Sequence, residues 1–233
     1  MTRRYFAAPL PPCGGVVKLD ADETHHLTKV MRVKVGETVT LFDGEGRQCD
    51  ATVESIGRRD VICLSQPPAP TNHENARSLT LGIAMPKGDR SKDLIERLTE
   101  LGVNRVVPLH CNRTQWPVTE NAITKWQRVV IDACKQSGRN HLMEIAPPVR
   151  AAQWFGDSAH VENVMRIIAD PSGAPSLGSP EARPLACAIG PEGGFDAMEM
   201  DAAKQLGWHP VSFGSRILRI ETASIVAAIK LVM

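Results

Sequence analysis

The sequence has no apolar run long enough to span a bilayer: the stretch near its end, Ala223 to Met233, is short and holds Lys230. The N-terminus carries two arginines with no long apolar stretch after them, so no secretory signal is expected. A cytoplasmic protein without a membrane partner follows as the expectation. The six cysteines, Cys13, Cys49, Cys63, Cys111, Cys134 and Cys187, include no Cys-x-x-Cys pair, and no histidine stands at zinc-motif spacing from one. No metal is expected, and the cysteines read as small core residues. The 18 glycines and 17 prolines follow no period, which excludes a collagen-like chain. Neither sign of charge prevails: 27 basic side chains face 26 acidic ones, and a net charge of +1 argues neither for nor against nucleic acid. Phosphate-binding glycine motifs are missing, both the G-x-x-x-x-G-K-[ST] loop and a G-x-G-x-x-G after a strand. A G-x-S-x-G nucleophile elbow is missing too.

What remains is an ordinary globular composition, 42% hydrophobic and 23% charged over 233 residues, enough for one large or two modest domains. Charge is uneven along the chain. Residues 73–150 hold twelve basic and eight acidic side chains, against nine and nine before them and six and nine after. A basic face is therefore expected in the middle third.

The first 66 residues read as short strands: Gly15–Leu19, Glu37–Phe42, Gln48–Ile56 and Asp60–Ser65, with Asp43-Gly44-Glu45-Gly46 as a hairpin turn. One helix is expected over Asp22–Arg32, with His25 and His26 as helix residues rather than metal ligands. Short strands with one helix suggest a small barrel. The proline-rich Gln66–Asn72 cannot continue a sheet and marks a boundary, giving domains 1–72 and 73–233. Beyond it strands alternate with helices, the pattern of a mainly parallel α/β sheet. Strands are expected at Leu79–Met85, Arg105–Leu109, Val164–Ala169, Leu185–Ile189 and Pro210–Phe213. Helices are expected at Asp89–Leu101, Ile123–Ser137, Asp196–Leu206 and Thr222–Val232.

Ligands of open parallel sheets sit outside the carboxyl ends of the strands. Three such ends carry glycine, proline or polar runs: Ala169-Asp170-Pro171-Ser172-Gly173, Gly190-Pro191-Glu192-Gly193-Gly194-Phe195, and Phe213-Gly214-Ser215-Arg216-Ile217-Leu218-Arg219. Each alone reads as a turn; three in successive units suggest a composite pocket. Physics alone reaches an α/β enzyme with an appended β module, and names no reaction.

The run Ile189-Gly190-Pro191-Glu192-Gly193-Gly194-Phe195, followed by Ser215-Arg216-Ile217-Leu218-Arg219-Ile220-Glu221-Thr222-Ala223, resembles the bacterial 16S rRNA uracil-N3 methyltransferase family of the SPOUT superfamily. His25-His26-Leu27 with Val30-Met31-Arg32 and Gly36 is similar to the family's N-terminal signature. Lys87, Asp89-Arg90, Thr99 to Val103 and Arg113 resemble its next block, and Trp126, Ala133, Gln136-Ser137 and Arg139 the one after. The resemblance covers nearly the whole chain. The chain departs from the pattern at Arg97, where lysine is usual, at Lys135, where glutamate is usual, and near Met143, where proline is usual.

The resemblance implies a PUA-like N-terminal barrel that grips RNA and a C-terminal sheet with a deep trefoil knot, a topology that pattern alone would not suggest. It implies S-adenosylmethionine as cofactor, held by Asp170, Ile189, Gly190, Gly194, Phe213, Gly214, Ile217 and Leu218, with core packing as the alternative for Phe213, Ile217 and Leu218. The implied reaction is methylation of N3 of one uridine in 16S rRNA, within a small-subunit particle and by a homodimer. The N3 proton must leave and charge develops on the uracil oxygens. Arg219 and Arg113 are candidates to polarise the base, and Glu192 or Glu221 to take the proton. For Glu221 the alternative is a first-turn acid of the last helix. Arg3, Arg4, Lys29, Arg32, Lys87 and Arg90 are candidate RNA contacts. A rival of another class, an assembly factor that binds RNA without catalysis, is disfavoured by the intact cofactor loops.

Overall fold

The structure, a computed structural model, describes residues 3–71, 74–175 and 183–232. The chain divides into two compact units, one of Met1–Glu74 with Ile131–Leu142, the other of Asn75–Val130 with Met143–Met233. Asn72 and His73, where the boundary was expected, lie outside the described residues.

The first unit holds strands β1 (Arg4–Phe6), β2 (Gly15–Leu19), β3 (Thr38–Phe42), β4 (Arg47–Ile56), β5 (Val61–Ser65) and β6 (Ala69–Pro70), and helix α1 (Ala21–His25). Their sheet runs β1-β3-β4-β5-β2 with β6 on β4, and among the described residues only β1 with β3 is a parallel pair. β1 and β2 end this order, so the expected small barrel is a curled half-barrel. Alternate residues turn inward: Val17 and Leu19 of β2, Val39 and Leu41 of β3, Ala51 and Val53 of β4, and Val61 and Cys63 of β5 form one core with Tyr5 and Leu27. Asp43 fixes the expected hairpin, accepting from the backbone N–H groups of Glu45 (2.8 Å) and Arg47 (3.1 Å) and from Arg47 Nε (2.6 Å). The expected helix over Asp22–Arg32 is instead α1, capped by Asp20, followed by a π-helical turn at His26–Val30. One part of the proline stretch does join the sheet: Ala69 and Pro70 pair with Gln48 and Arg47.

The second unit contains β7 (Leu79–Ile83), α2 (Asp89–Glu100), β8 (Arg105–His110), the start of α3 (Glu120–Ser137), β9 (Glu144–Ile145), β10 (Val149–Arg150), α4 (Ala151–Ala159), β11 (Met165–Ala174), β12 (Leu185–Ile189), α5 (Ala197–Gln205), β13 (His209–Val211) and α6 (Ile220–Val232). The last turns of α3 belong to the first unit. All strand pairs of this sheet are parallel among the described residues, in the order β10-β8-β7-β12-β11-β13 with β9 on β8. β12, at the middle, is buried at every residue, as a strand covered on both faces requires.

α6 lies on β7 and β12 and packs against α2, while α4 packs on α5, β8 and β10. The short strands β1, β6, β9 and β10 and the helix α4 have no counterpart in the elements expected from sequence. α4 brings Trp154 and Phe155 into a cluster with Phe195 and Trp208, ring centroids 4.9–6.2 Å apart. Gly82 of β7 faces the Trp154 ring so closely that a Cβ there would lie 2.6 Å from its Cη2 atom.

Candidate functional site

In a parallel sheet all strands end at the same edge, so the segments ending β11, β12 and β13 converge. They line one cavity of about 470 Å³, within the usual range for small-molecule sites. All eight candidate cofactor residues line it: Asp170, Ile189, Gly190, Gly194, Phe213, Gly214, Ile217 and Leu218. Glu192 and Arg219 line it as well. Phe213 and Leu218 are half-buried and Ile217 is 86% exposed, so none of the three is the core residue of the alternative reading.

Each segment is fixed locally. β11 continues past Ala169, its register against β13 broken before Ala174, and Asp170 accepts from the backbone and hydroxyl of Ser172 at 2.7 and 2.6 Å. The run 169–173, which alone reads as a turn, is thus an irregular strand end. After β12, Gly194 donates its N–H to Pro191 O (2.8 Å), and Phe195 anchors the segment by an edge contact to Phe155, 5.6 Å between centroids. Gly194 has φ +68, and open space lies where a Cβ would point. Asp196 and Glu199 then cap α5 reciprocally. Beyond β13, Ser212 Oγ bonds Gly214 O at 2.9 Å. Cavity residues outside the sequence-based set include Arg216, whose place in the run Ser215 to Ala223 was its one signal.

The remaining candidates of the second unit fall into three groups. Arg113 does not line the cavity, but its Nη1 donates to Gly193 O at 2.6 Å on the rim. Its segment is held to α5 by Asn112, which bonds Glu199 and Asp196 at 2.8 and 2.7 Å. These donors help hold the Asp196 carboxyl below the usual carboxylate range: first the Glu199 N–H, then the Asn112 amide. Glu221 stands in the first turn of α6 outside the cavity lining; its Oε1 meets Arg90 at 3.1 Å and its buried Oε2 has no hydrogen-bond partner. Arg90 also approaches Glu192, at 3.8 Å. Lys87 seats its ammonium 3.5 Å from the ring centroid of Trp116.

In the first unit Lys29 and Arg32 are exposed, and Arg3 pairs with Glu37. Arg4 overturns its assignment as an RNA contact. It is only 7% exposed, and its guanidinium donates to Gln48 Oε1 (2.7 Å) and Asn140 Oδ1, neighbours that local sequence cannot reveal. Lys135, the charge departure noted above, is an ion-pair residue, its Nζ 2.8 Å from both Glu23 and Asp132. Five of the six cysteines are buried, as expected, and Cys13 is exposed. Burial pushes the Cys111 thiol up to about 12. No group of three or more His, Cys, Asp or Glu side chains that could hold a metal occurs among the described residues. No helix among them is long and apolar enough to cross a membrane.

Comparison with known proteins agrees with this geometry. Residues 73–232 match the RNA methyltransferase domain family, and residues 19–64 the RNA methyltransferase PUA domain. Ribosomal RNA small subunit methyltransferase E of Synechocystis sp. is 32% identical over 232 residues, covering 97% of this chain and 76% of its own. A crystal structure of ribosomal RNA small subunit methyltransferase E from Neisseria gonorrhoeae, bound to S-adenosylmethionine, superposes with a TM-score of 0.91 at 27% identity, covering 99% of this chain and 97% of its own. A methyltransferase from Legionella pneumophila, also with bound S-adenosylmethionine, gives 0.89 at 29% identity, with 99% and 97% covered. The family match spans well over half the chain and takes in every residue of the strand-end cavity, and the chain therefore belongs to the RNA methyltransferase family, alongside the small-subunit ribosomal RNA methyltransferase E proteins.

Proposed function

We propose that the protein is a cytoplasmic homodimer that transfers a methyl group from S-adenosylmethionine to N3 of one uridine in 16S rRNA, within a small-subunit particle. The observation that carries this is the cavity walled by three strand-end segments with a cation, Arg219, on its lining. The fit to the cofactor rests on the cavity's volume and on Gly194, whose positive φ and open Cβ direction leave backbone free to approach a ligand.

S-adenosylmethionine supplies an electrophilic methyl group on a sulfonium centre. The chain's own task is to align the nucleophile and manage one proton. N3 lies on the Watson–Crick edge, so the uridine must be unpaired or flipped. Arg219 is assigned to the charge that develops on the uracil oxygens, with Arg113 at the Gly193 rim as the second donor. Glu221, held at Oε1 by Arg90 and unpartnered at Oε2, is assigned to receive the N3 proton directly or through water, with Glu192 as the other acceptor.

Mass spectrometry of 16S rRNA from a strain lacking this protein should show loss of one N3-methyluridine, restored by the wild-type chain and not by Gly194→Val. A β-branched side chain at φ +68 is strained and fills space the ligand needs. An unchanged N3-methyluridine signal in the deletion strain would refute the function; restoration by Gly194→Val would refute the cofactor site.

A further inference from the structure

We infer that Trp116, with Lys87 on its ring, is a stacking platform for an unpaired nucleotide of the RNA beside the target uridine. The inference rests on the proposed function and extends it to a residue that neither the motifs nor the cavity contains.

Three observations converge. Trp116 is 49% exposed, whereas the other three tryptophans, Trp126, Trp154 and Trp208, are 5%, 7% and 1% exposed. The chain thus buries every indole except this one. Lys87 is also exposed, and its Nζ lies 3.5 Å from the Trp116 centroid, so one ring face carries a positive charge. Finally, Lys87 follows β7 and Trp116 follows β8, adjacent parallel strands whose C-terminal ends share the edge that bears the cavity. Arg113, three residues before Trp116, bonds the rim at Gly193.

An aromatic face with a cation beside it matches what a single-stranded nucleotide presents, a π-face and a phosphate. Stacking is indifferent to which base is offered, so the platform would grip a neighbour of the target rather than select it. A methyl acceptor that must leave its pairing partner has unstacked neighbours, and Trp116 would hold one of them. Trp116 is a positioning residue here, since it touches no reacting atom.

The exposed indole is its own reporter. Titrating the intact protein with a short single-stranded oligouridylate should quench the exposed tryptophan emission. Trp116→Leu should remove that quench and weaken binding about 5- to 150-fold, the worth of one stacked base. Trp116→Phe should retain most of the affinity. With small-subunit particles as substrate, Trp116→Leu should raise KM for RNA by more than it lowers kcat, a split that mere misfolding would not produce. The platform is overturned if Trp116→Leu binds oligouridylate as tightly as wild type, or if duplex RNA of equal length quenches as well as the single strand. A wild-type protein that stacks oligouridylate on Trp116 yet methylates no small-subunit rRNA would overturn the proposed function and leave the platform standing.

Discussion

At the scale of single residues, burial decides what a charge does. Lys135 keeps 11% of its side-chain surface and Glu23 5%, and their 2.8 Å contact joins the last turns of α3 to α1 within the first unit. Burial pushes the Glu23 carboxyl up, although Lys135 pulls it the other way. Replacing the cation by a carboxylate would set two acids against each other where little water can screen them. Lys135→Glu should therefore cost about 3–5 kcal/mol at neutral pH, the range for breaking a buried pair. Because the variant raises the folded-state pKa of Glu23 further, the loss should be full above that value and shrink as pH falls and the carboxyl protonates. Urea unfolding at pH 7 and pH 5 reads both effects, and Glu23→Lys added to Lys135→Glu should recover part of the loss. An unchanged midpoint in the single variant would mean the pair contributes nothing. The same reasoning explains Arg4: an arginine near a chain end reads as surface until its partners, 44 and 136 residues away, are seen to enclose it.

Between elements, close approach matters more than propensity. Leu185–Ile189 is legible because five apolar residues in a row fit a doubly covered strand, and the structure gives the same bounds. α4 is not legible: it has nine residues, contains Gly156, and has no acidic residue in its first turn and no basic one in its last. What holds it in place is its aromatic pair: both rings pack on Trp208, and Trp154 also meets Gly82 of β7. Gly82→Ala tests that packing. The new methyl carbon would lie 2.6 Å from Cη2 of the Trp154 ring, well inside van der Waals contact, so α4 would have to shift. A loss of about 1–3 kcal/mol is expected from such overpacking. Trp154→Phe in the same chain should return part of it in thermal unfolding; no recovery would mean the strain lies elsewhere.

At the scale of the whole molecule the expectation is a division of labour. Lys29→Gln with Arg32→Gln removes two exposed charges from the first unit. If they contact phosphates, the salt slope of RNA binding should fall by roughly 0.7 to 0.9 per contact, with cofactor affinity unchanged because the cavity lies wholly in the second unit. Arg219→Ala should do the opposite, lowering turnover by about 10²–10³ with RNA binding nearly intact, as loss of one donor to developing charge does. Filter binding across a salt series and single-turnover methylation separate the two. Equal losses of binding and turnover in both variants would rule the division out.

The sequence by itself determined most elements and the strand-end segments that line the cavity, because hydrophobic period and glycine-rich strand ends are local signals. Its two motif runs, Ile189–Phe195 and Ser215–Ala223, both supply residues to the cavity that the structure forms. Only the tertiary structure decided which charges are buried and which are free to act. Arg4 is enclosed by Gln48 and Asn140, Lys135 is held between Glu23 and Asp132, and Ile131–Leu142 joins the first unit from across the chain. These facts depend on contacts between residues far apart in sequence. Electrostatic cost is set by the surroundings of a charge in space, and neither the period of a helix nor the composition of a loop records them.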